Sequence, residues 1–277
     1  DGMEGKWVFT LSKPSLIPFL QYAHNRDLRE KIYMGYVMRG NNDNANDNKE
    51  LIEEMSKLRL QKAKLLGYED YASYVLEANM AKDVSTVDKF LADLLKPALK
   101  VAKKDLKELQ EIANFQTLYT TPVDVESWDW WYYAEMVRKA KYNFDENELK
   151  PYLSLNNVRD GMFMVANKLY GITFNQRTDI PVYFDGVETW EVKEKDGSHI
   201  GIIYLDYYPR DSKSGGAWCT SFREAGYDIE GNKITPLVSL VLNFTPPTGD
   251  TPALLSWDET ETLWHEFGHG LHALFSD

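Results

Sequence analysis

The chain has 277 residues, of which 43% are hydrophobic, 27% charged and 13% aromatic, a composition that supplies ample core material and excludes a disordered or collagen-like chain. Lysine and arginine number 31 against 43 acidic residues, a formal charge of −12, so neither nucleic acid nor an anionic membrane surface is an expected partner. Cys219 is the single cysteine, which rules out an intrachain disulfide and a cysteine-rich metal site, and no apolar run approaches the roughly 20 residues of a membrane span.

The length fits one large domain or two small ones. The opening, Asp1-Gly2-Met3-Glu4-Gly5, is not expected to be a signal peptide. Asp1 is not an initiator and the chain stops soon after a patterned helix, so it is expected to be a piece of a longer protein. The first two thirds predict helices. Gly40 to Asn48, rich in Asn and Asp, predicts a loop. Asp47 with Glu50 predicts a capping box, and Leu51, Ile52, Met55, Leu58 and Leu65 then recur at helical spacing before Gly67 supplies a stop. Ser85 is the expected cap of the next helix, whose stripe runs Val87, Phe90, Leu91, Leu94, Ala98, Val101 and Leu109, with Pro97 a kink or break. Ser127 is the expected cap of a third helix. Asn156 or Asn157 is expected to cap a fourth that ends near Gly171. No internal repeat is visible.

After Gly171 the pattern changes. Val182-Tyr183-Phe184, Thr189 to Glu194, Ile200 to Tyr208 and Leu237 to Phe244 are rich in β-branched and aromatic residues, and Asp196-Gly197 between two of them signals a hairpin. Asp185-Gly186 is a further turn signal. These runs predict a small, mostly antiparallel sheet of three or four strands. Pro246-Pro247 and Gly249 then break the chain.

Ser256-Trp257-Asp258-Glu259 is a Ser-x-x-Glu capping box, so a helix is expected to start near Trp257, with Asp258, Glu259 and Glu261 at its positive end. On it lies His265-Glu266-Phe267-Gly268-His269, an H-E-x-x-H motif. Residues four apart differ by about 40° around the axis and about 6 Å along it, so both imidazoles project from one face and suit one Zn²⁺. Glu266 lies about 100° from His265, a position that suits a general base acting on an activated water. The plain alternative is a pair of surface histidines. Gly268 and Gly270 argue against it: each costs roughly 1 kcal/mol relative to Ala inside a helix, which marks function or close packing. His272 is about 10.5 Å from His265 along the axis and is expected to take a packing or supporting role rather than share the metal. His24 and His199 are expected at the surface. No carboxylate in the chain nominates itself as third ligand, which is expected beyond Asp277.

Trp128, Trp130, Trp131, Tyr132 and Tyr133 crowd six positions, so several must be buried; core packing is the expectation and a channel wall the alternative. The Lys213 to Ala217 loop, small and glycine-rich, suits either a close approach by a peptide backbone or a plain turn. Asp206 and Arg210 suit an ion pair that orders this loop. Cys219 is expected to be a packed thiol.

Together, Pro252 to Leu255, Thr262 to His272, Tyr204 to Arg210, Lys213 to Trp218, Trp128 to Tyr133 and Arg59 to Gly67 resemble the thimet oligopeptidase family of zincin metallopeptidases over essentially the whole chain. Arg210 to Trp218 and Asn243-Phe244 are most similar to its peptidyl-dipeptidase (dipeptidyl carboxypeptidase) branch. The resemblance implies a mainly α fold with a small antiparallel sheet, ending in the H-E-x-x-H helix. It divides one incomplete catalytic domain into a helical region (1–175), a β-sheet region (176–250) and a metal-binding helix (251–277). It implies zinc as cofactor, held by His265 and His269, and Glu266 as the catalytic glutamate. Short unstructured peptides are the implied partners, with dipeptides released from the C-terminus. The third ligand and the substrate-positioning groups are implied to lie downstream, so this piece alone is expected to be inactive. A metal-free helical interaction module and a zincin oligoendopeptidase of different preference are the competing readings.

Overall fold

Helices take up the first half of the chain and a five-stranded sheet organises the second. The computed structural model describes residues 4–116, 121–145 and 148–276; the first three residues, part of the opening read above for a leader, and Asp277 lie outside the described residues. Two units result, Asp1–Leu11 with Ser15–Asn143 and Ser12–Pro14 with Phe144–Asp277. No helix among the described residues is long and apolar enough to cross a membrane.

The first unit is helical: α1 (Lys13–Tyr22), α2 (Arg26–Val37), α3 (Lys49–Leu65), α4 (Tyr71–Leu76), α5 (Val84–Gln116) and α6 (Trp130–Tyr142). Its helix starts differ from the expected caps by a residue or two. Asp47 makes no capping box; its carboxylate accepts from the backbone N–H groups of Asp43 (2.7 Å) and Lys49 (3.0 Å) and closes the Asn/Asp-rich loop on itself. Asp83, not Ser85, caps α5, accepting from Thr86 N at 2.8 Å, and Pro97 lies inside α5 without breaking it. Glu126, not Ser127, caps a single 3₁₀ turn (Ser127–Asp129) that leads into α6. In the last two cases a carboxylate two and one residues before the expected cap reaches the free N–H groups first. The core holds Leu109 and Ala113 of α5 with Tyr132 and Tyr133 of α6, while Trp130 and Trp131 are each 39% exposed. Core packing therefore accounts for two of the crowded aromatics. Buried Asp129 takes Arg29 at 2.6 Å and Arg26 at 2.8 Å.

In the second unit Ser154, not Asn156 or Asn157, caps α7 (Leu155–Tyr170), and Gly171, at φ +78°, ends it in the left-handed conformation that glycine tolerates. The strands are β1 (Thr173–Gln176), β2 (Glu188–Lys193), β3 (His199–Asp206), β4 (Trp218–Arg223), β5 (Gly226–Tyr227), β6 (Lys233–Ile234) and β7 (Leu237–Val241). Five of them form one sheet in the order β1-β2-β3-β7-β4, and β5 pairs with β6 alone. The sheet is mixed, not simply antiparallel, because β3 and β7 run parallel. Val182-Tyr183-Phe184 is not a strand. It crosses the sheet face that bears Tyr204 and Phe222, with the Tyr183 ring 6.2 and 5.7 Å from theirs. Asp196-Gly197 does turn the β2–β3 hairpin.

The opposite face carries α7 and α8 (Trp257–Phe275). Phe163 of α7 stacks on Phe174 of β1 at 4.0 Å and meets Trp190 and Phe267 at 5.0 and 6.2 Å. Gly270 lets α8 lie close: a Cβ there would sit 3.2 Å from Leu240 Cδ2 and 3.3 Å from Ile203 Cδ1. Two bulges shape the sheet, an extra residue at Ile200 in β3 and another at Phe222 in β4. Gly201, beside the first, is more constrained than Gly270, since its Cβ would lie 2.7 Å from the Pro236 carbonyl oxygen, which also accepts from Ile202 N. Backbone cannot rotate aside as a side chain can, so Gly201→Ala is expected to cost about 1–3 kcal/mol. A lowered urea midpoint at unchanged m would register it.

Candidate metal centre and adjoining sheet edge

The helix that carries the H-E-x-x-H motif starts as its sequence predicts. Ser256 Oγ accepts from Glu259 N at 3.1 Å, and Glu259 Oε2 accepts from Ser256 N at 2.8 Å. Glu259 Oε1 also accepts from Thr245 N at 2.8 Å, tying down the loop that follows β7. From this start, two turns on, His265 and His269 emerge exposed on one face with their Nε2 atoms 3.2 Å apart. Two nitrogens on one tetrahedral zinc, at about 2.0–2.1 Å each, lie about 3.3–3.4 Å apart. The donor pair therefore fits the ion that the sequence implies. Among the described residues no His, Cys, Asp or Glu group of three or more is placed to hold a metal.

Glu266 is only 7% exposed. It faces the sheet side of the helix near Cys219, whose thiol is pushed up to about 11 by burial and by the Glu266 charge. Cys219 is thus the packed thiol expected. His272 is exposed, so the packing role expected of it is not met. His24 and His199 are exposed, the first 2.7 Å from Tyr132 Oη and the second 3.0 Å from Glu191 Oε1. Of the two helix glycines, Gly270 has its reason in packing; a Cβ at Gly268 would meet nothing within 4 Å.

Strand β4 forms one edge of the sheet and packs against α8. At its start Ala217, with Trp257, Glu261, Trp264, His265 and Glu266 of α8, lines an open groove of about 880 Å³. The loop into β4 is held by a buried ionic cluster. Arg210 grips Asp206 with two bonds of 2.9 Å, the ion pair expected, and Tyr183 Oη donates to the same carboxylate at 3.0 Å. Lys213 was not foreseen in this role. Its side chain is 3% exposed, and the ammonium donates to Asp206 Oδ1 (3.0 Å), Asp206 O (3.2 Å), Tyr208 O (2.7 Å) and Leu242 O. Burial works to raise the Asp206 carboxyl, but Arg210 and Lys213 outweigh it and hold the group below its usual range. Burial lowers the Lys213 ammonium despite Asp206. A lysine and an aspartate seven residues apart carry no recognisable signature; only the topology that brings the ends of β3 and β7 together reveals them.

The pattern described as Peptidase family M3 matches residues 19–277. Dipeptidyl carboxypeptidase of Salmonella typhimurium is 38% identical over 277 residues, 99% of this chain and 40% of that protein. Organellar oligopeptidase A of Arabidopsis thaliana is 38% identical over 280 residues, covering 98% and 35%. Oligopeptidase A of Escherichia coli is 35% identical over 278 residues, covering 99% and 40%. The chain spans about 40% of the length of the bacterial relatives it matches.

Proposed function

The chain belongs to peptidase family M3, the thimet oligopeptidase family, and we propose that it supplies the zinc-binding helix and a peptide-binding edge of a zinc-dependent oligopeptidase. One observation carries the reading: His265 and His269 present Nε2 atoms 3.2 Å apart, with Glu266 beside them and an open sheet edge alongside. His265 and His269 would hold the ion. Zinc, when bound, supplies Lewis acidity toward a water and the scissile carbonyl. The Glu266 carboxylate takes the proton from the attacking water and passes it to the leaving amine nitrogen. Strand β4 receives an extended peptide by backbone hydrogen bonds, which select conformation while side-chain pockets select sequence. Short unstructured peptides are the substrates that suit an edge of this kind, because a folded protein cannot offer its backbone.

Release of C-terminal dipeptides is the preferred specificity, supported by the dipeptidyl carboxypeptidase relatives. The oligopeptidase A relatives favour internal cleavage as a second reading. A C-terminal amide separates them: it removes the carboxylate that a dipeptide-releasing enzyme must recognise and leaves internal cleavage unaffected.

The test of the zinc assignment is metal content. In the full-length protein, His265→Ala and His269→Ala are each expected to weaken zinc binding at least tenfold, read by competition with a chromogenic chelator, with peptide cleavage lost in step. Full zinc occupancy in both variants would remove these residues from the site.

A further inference from the structure

The geometry points to Asn243 as a positioning residue: its side-chain amide extends the sheet edge past the end of β4 and sets the backbone N–H groups of Gly215 and Ala217 to receive a peptide carbonyl. The inference rests on the peptidase reading above and deepens it. The β4–β7 ladder ends at the pair Trp218–Val241. Two residues further on, Asn243 Nδ2 donates to Ser214 O at 2.9 Å and to Gly216 O at 2.7 Å. A single NH₂ group thereby uses both its protons in place of the backbone pairing that has stopped.

No peptide bond in the described chain is cis. In a trans peptide the C=O and the next N–H point in opposite directions. The N–H of Gly215 follows the Ser214 carbonyl, and that of Ala217 follows the Gly216 carbonyl. Both therefore point away from Asn243, and neither has a hydrogen-bond partner among the described residues. They stand two residues apart, the period at which an edge strand presents its outward groups. A Cβ built at Gly215 or Gly216 meets nothing within 4 Å, so the space beside the donors is open. Ala217 lines the groove that also holds His265 and Glu266. The ligand of this chemistry is a backbone carbonyl of the peptide being cleaved. Alanine at 243 frees both loop carbonyls to turn outward, and aspartate repels them.

The experiment compares one peptide with analogues in which a single backbone carbonyl near the scissile bond is reduced to CH₂, using the full-length zinc-loaded protein. At one position the reduction is expected to raise KM about tenfold with kcat within twofold. Asn243→Ala and Asn243→Asp are expected to raise KM for the unmodified peptide by about the same factor, at unchanged zinc content. In those variants the reduction should cost nothing more, because its donor is no longer held. Unchanged KM in both variants, penalties that multiply, or no sensitive carbonyl in the wild type overturns the proposal and leaves the peptidase reading standing. If the wild type cleaves no peptide, that reading fails, and peptide binding followed by tryptophan fluorescence replaces KM. A preference for the unmodified peptide that disappears in Asn243→Ala then supports the role of Asn243; equal binding overturns it.

Discussion

Glu266→Gln in the full-length, zinc-loaded protein is expected to lower kcat about 10²–10⁴-fold, the contribution of a positioned general base. The substitution keeps the shape of the side chain and its packing beneath the sheet, where Glu266 is 7% exposed, but an amide cannot take up the proton of the attacking water. Zinc content should stay within twofold, because His265 and His269 point from another side of the helix. Stopped assays with a short peptide, alongside metal analysis of the same preparations, read both quantities. Unaltered turnover would remove Glu266 from the chemistry. Loss of zinc in proportion to activity would make it a ligand instead.

Asp206→Ala is expected to be the most destabilising of the substitutions considered, by about 3–5 kcal/mol. The carboxylate is 4% exposed and is the common partner of Arg210 and the buried Lys213 ammonium. Its removal leaves two cations facing each other with no counter-charge. Asp206→Asn keeps the shape and isolates the charge, which makes it a probe of pH dependence. In the folded protein the carboxyl titrates below its ordinary value of 3.8. The unfolded chain thus takes up the proton first, and the contribution of Asp206 is complete above about pH 5 and lost as the pH falls through the folded value. Urea midpoints of wild type and Asp206→Asn should differ most above about pH 5 and draw together as the pH falls through the folded value, which lies below 3.8. A gap that stays constant across that range would show that the charge does not stabilise the fold.

The parts of this fold legible in the sequence are those fixed by neighbours in the chain. Ser256 and Glu259 are three residues apart, so the start of α8 and the direction of its two histidines followed from local spacing alone. β3 and β7 announced themselves through runs of Val, Ile and Leu that are buried in the sheet, and β2 through its β-branched and aromatic Thr189, Trp190 and Val192. β1 and β4 did not, because Thr-Phe-Asn-Gln and Trp-Cys-Thr-Ser-Phe-Arg lie at the two sheet edges and are half exposed. The apolar run at Val182 misled for the converse reason: aromatic side chains that cover a sheet face look, one residue at a time, like those inside it. The parallel pairing of β3 with β7, and the grip of Lys213 and Asn243 on chain 27 to 29 residues away, depend on contacts that no local pattern encodes. In the first unit the stripes of α3 and α5 correctly marked helices, yet Leu51, Ile52, Met55, Phe90 and Leu91 are exposed. Periodicity reports the helix, and burial must be found separately.

The bulge at Phe222 gives the outer strand a built-in length limit. Regular pairing geometry runs over the four residues Trp218–Ser221 before the extra residue shifts the backbone out of step. At roughly 3.3 Å per residue this is a ruler of about 13 Å. A short ligand can use the whole of it together with the Asn243-held residues 214–217 that precede it, and meets the limit only at the bulge. A second molecule of the same chain, approaching sheet to sheet, finds too few matched groups to nucleate a continuous ribbon, and the added twist turns its next residues away. Among the described residues, one inserted residue therefore shortens the stretch of the outer strand that a second copy could pair with.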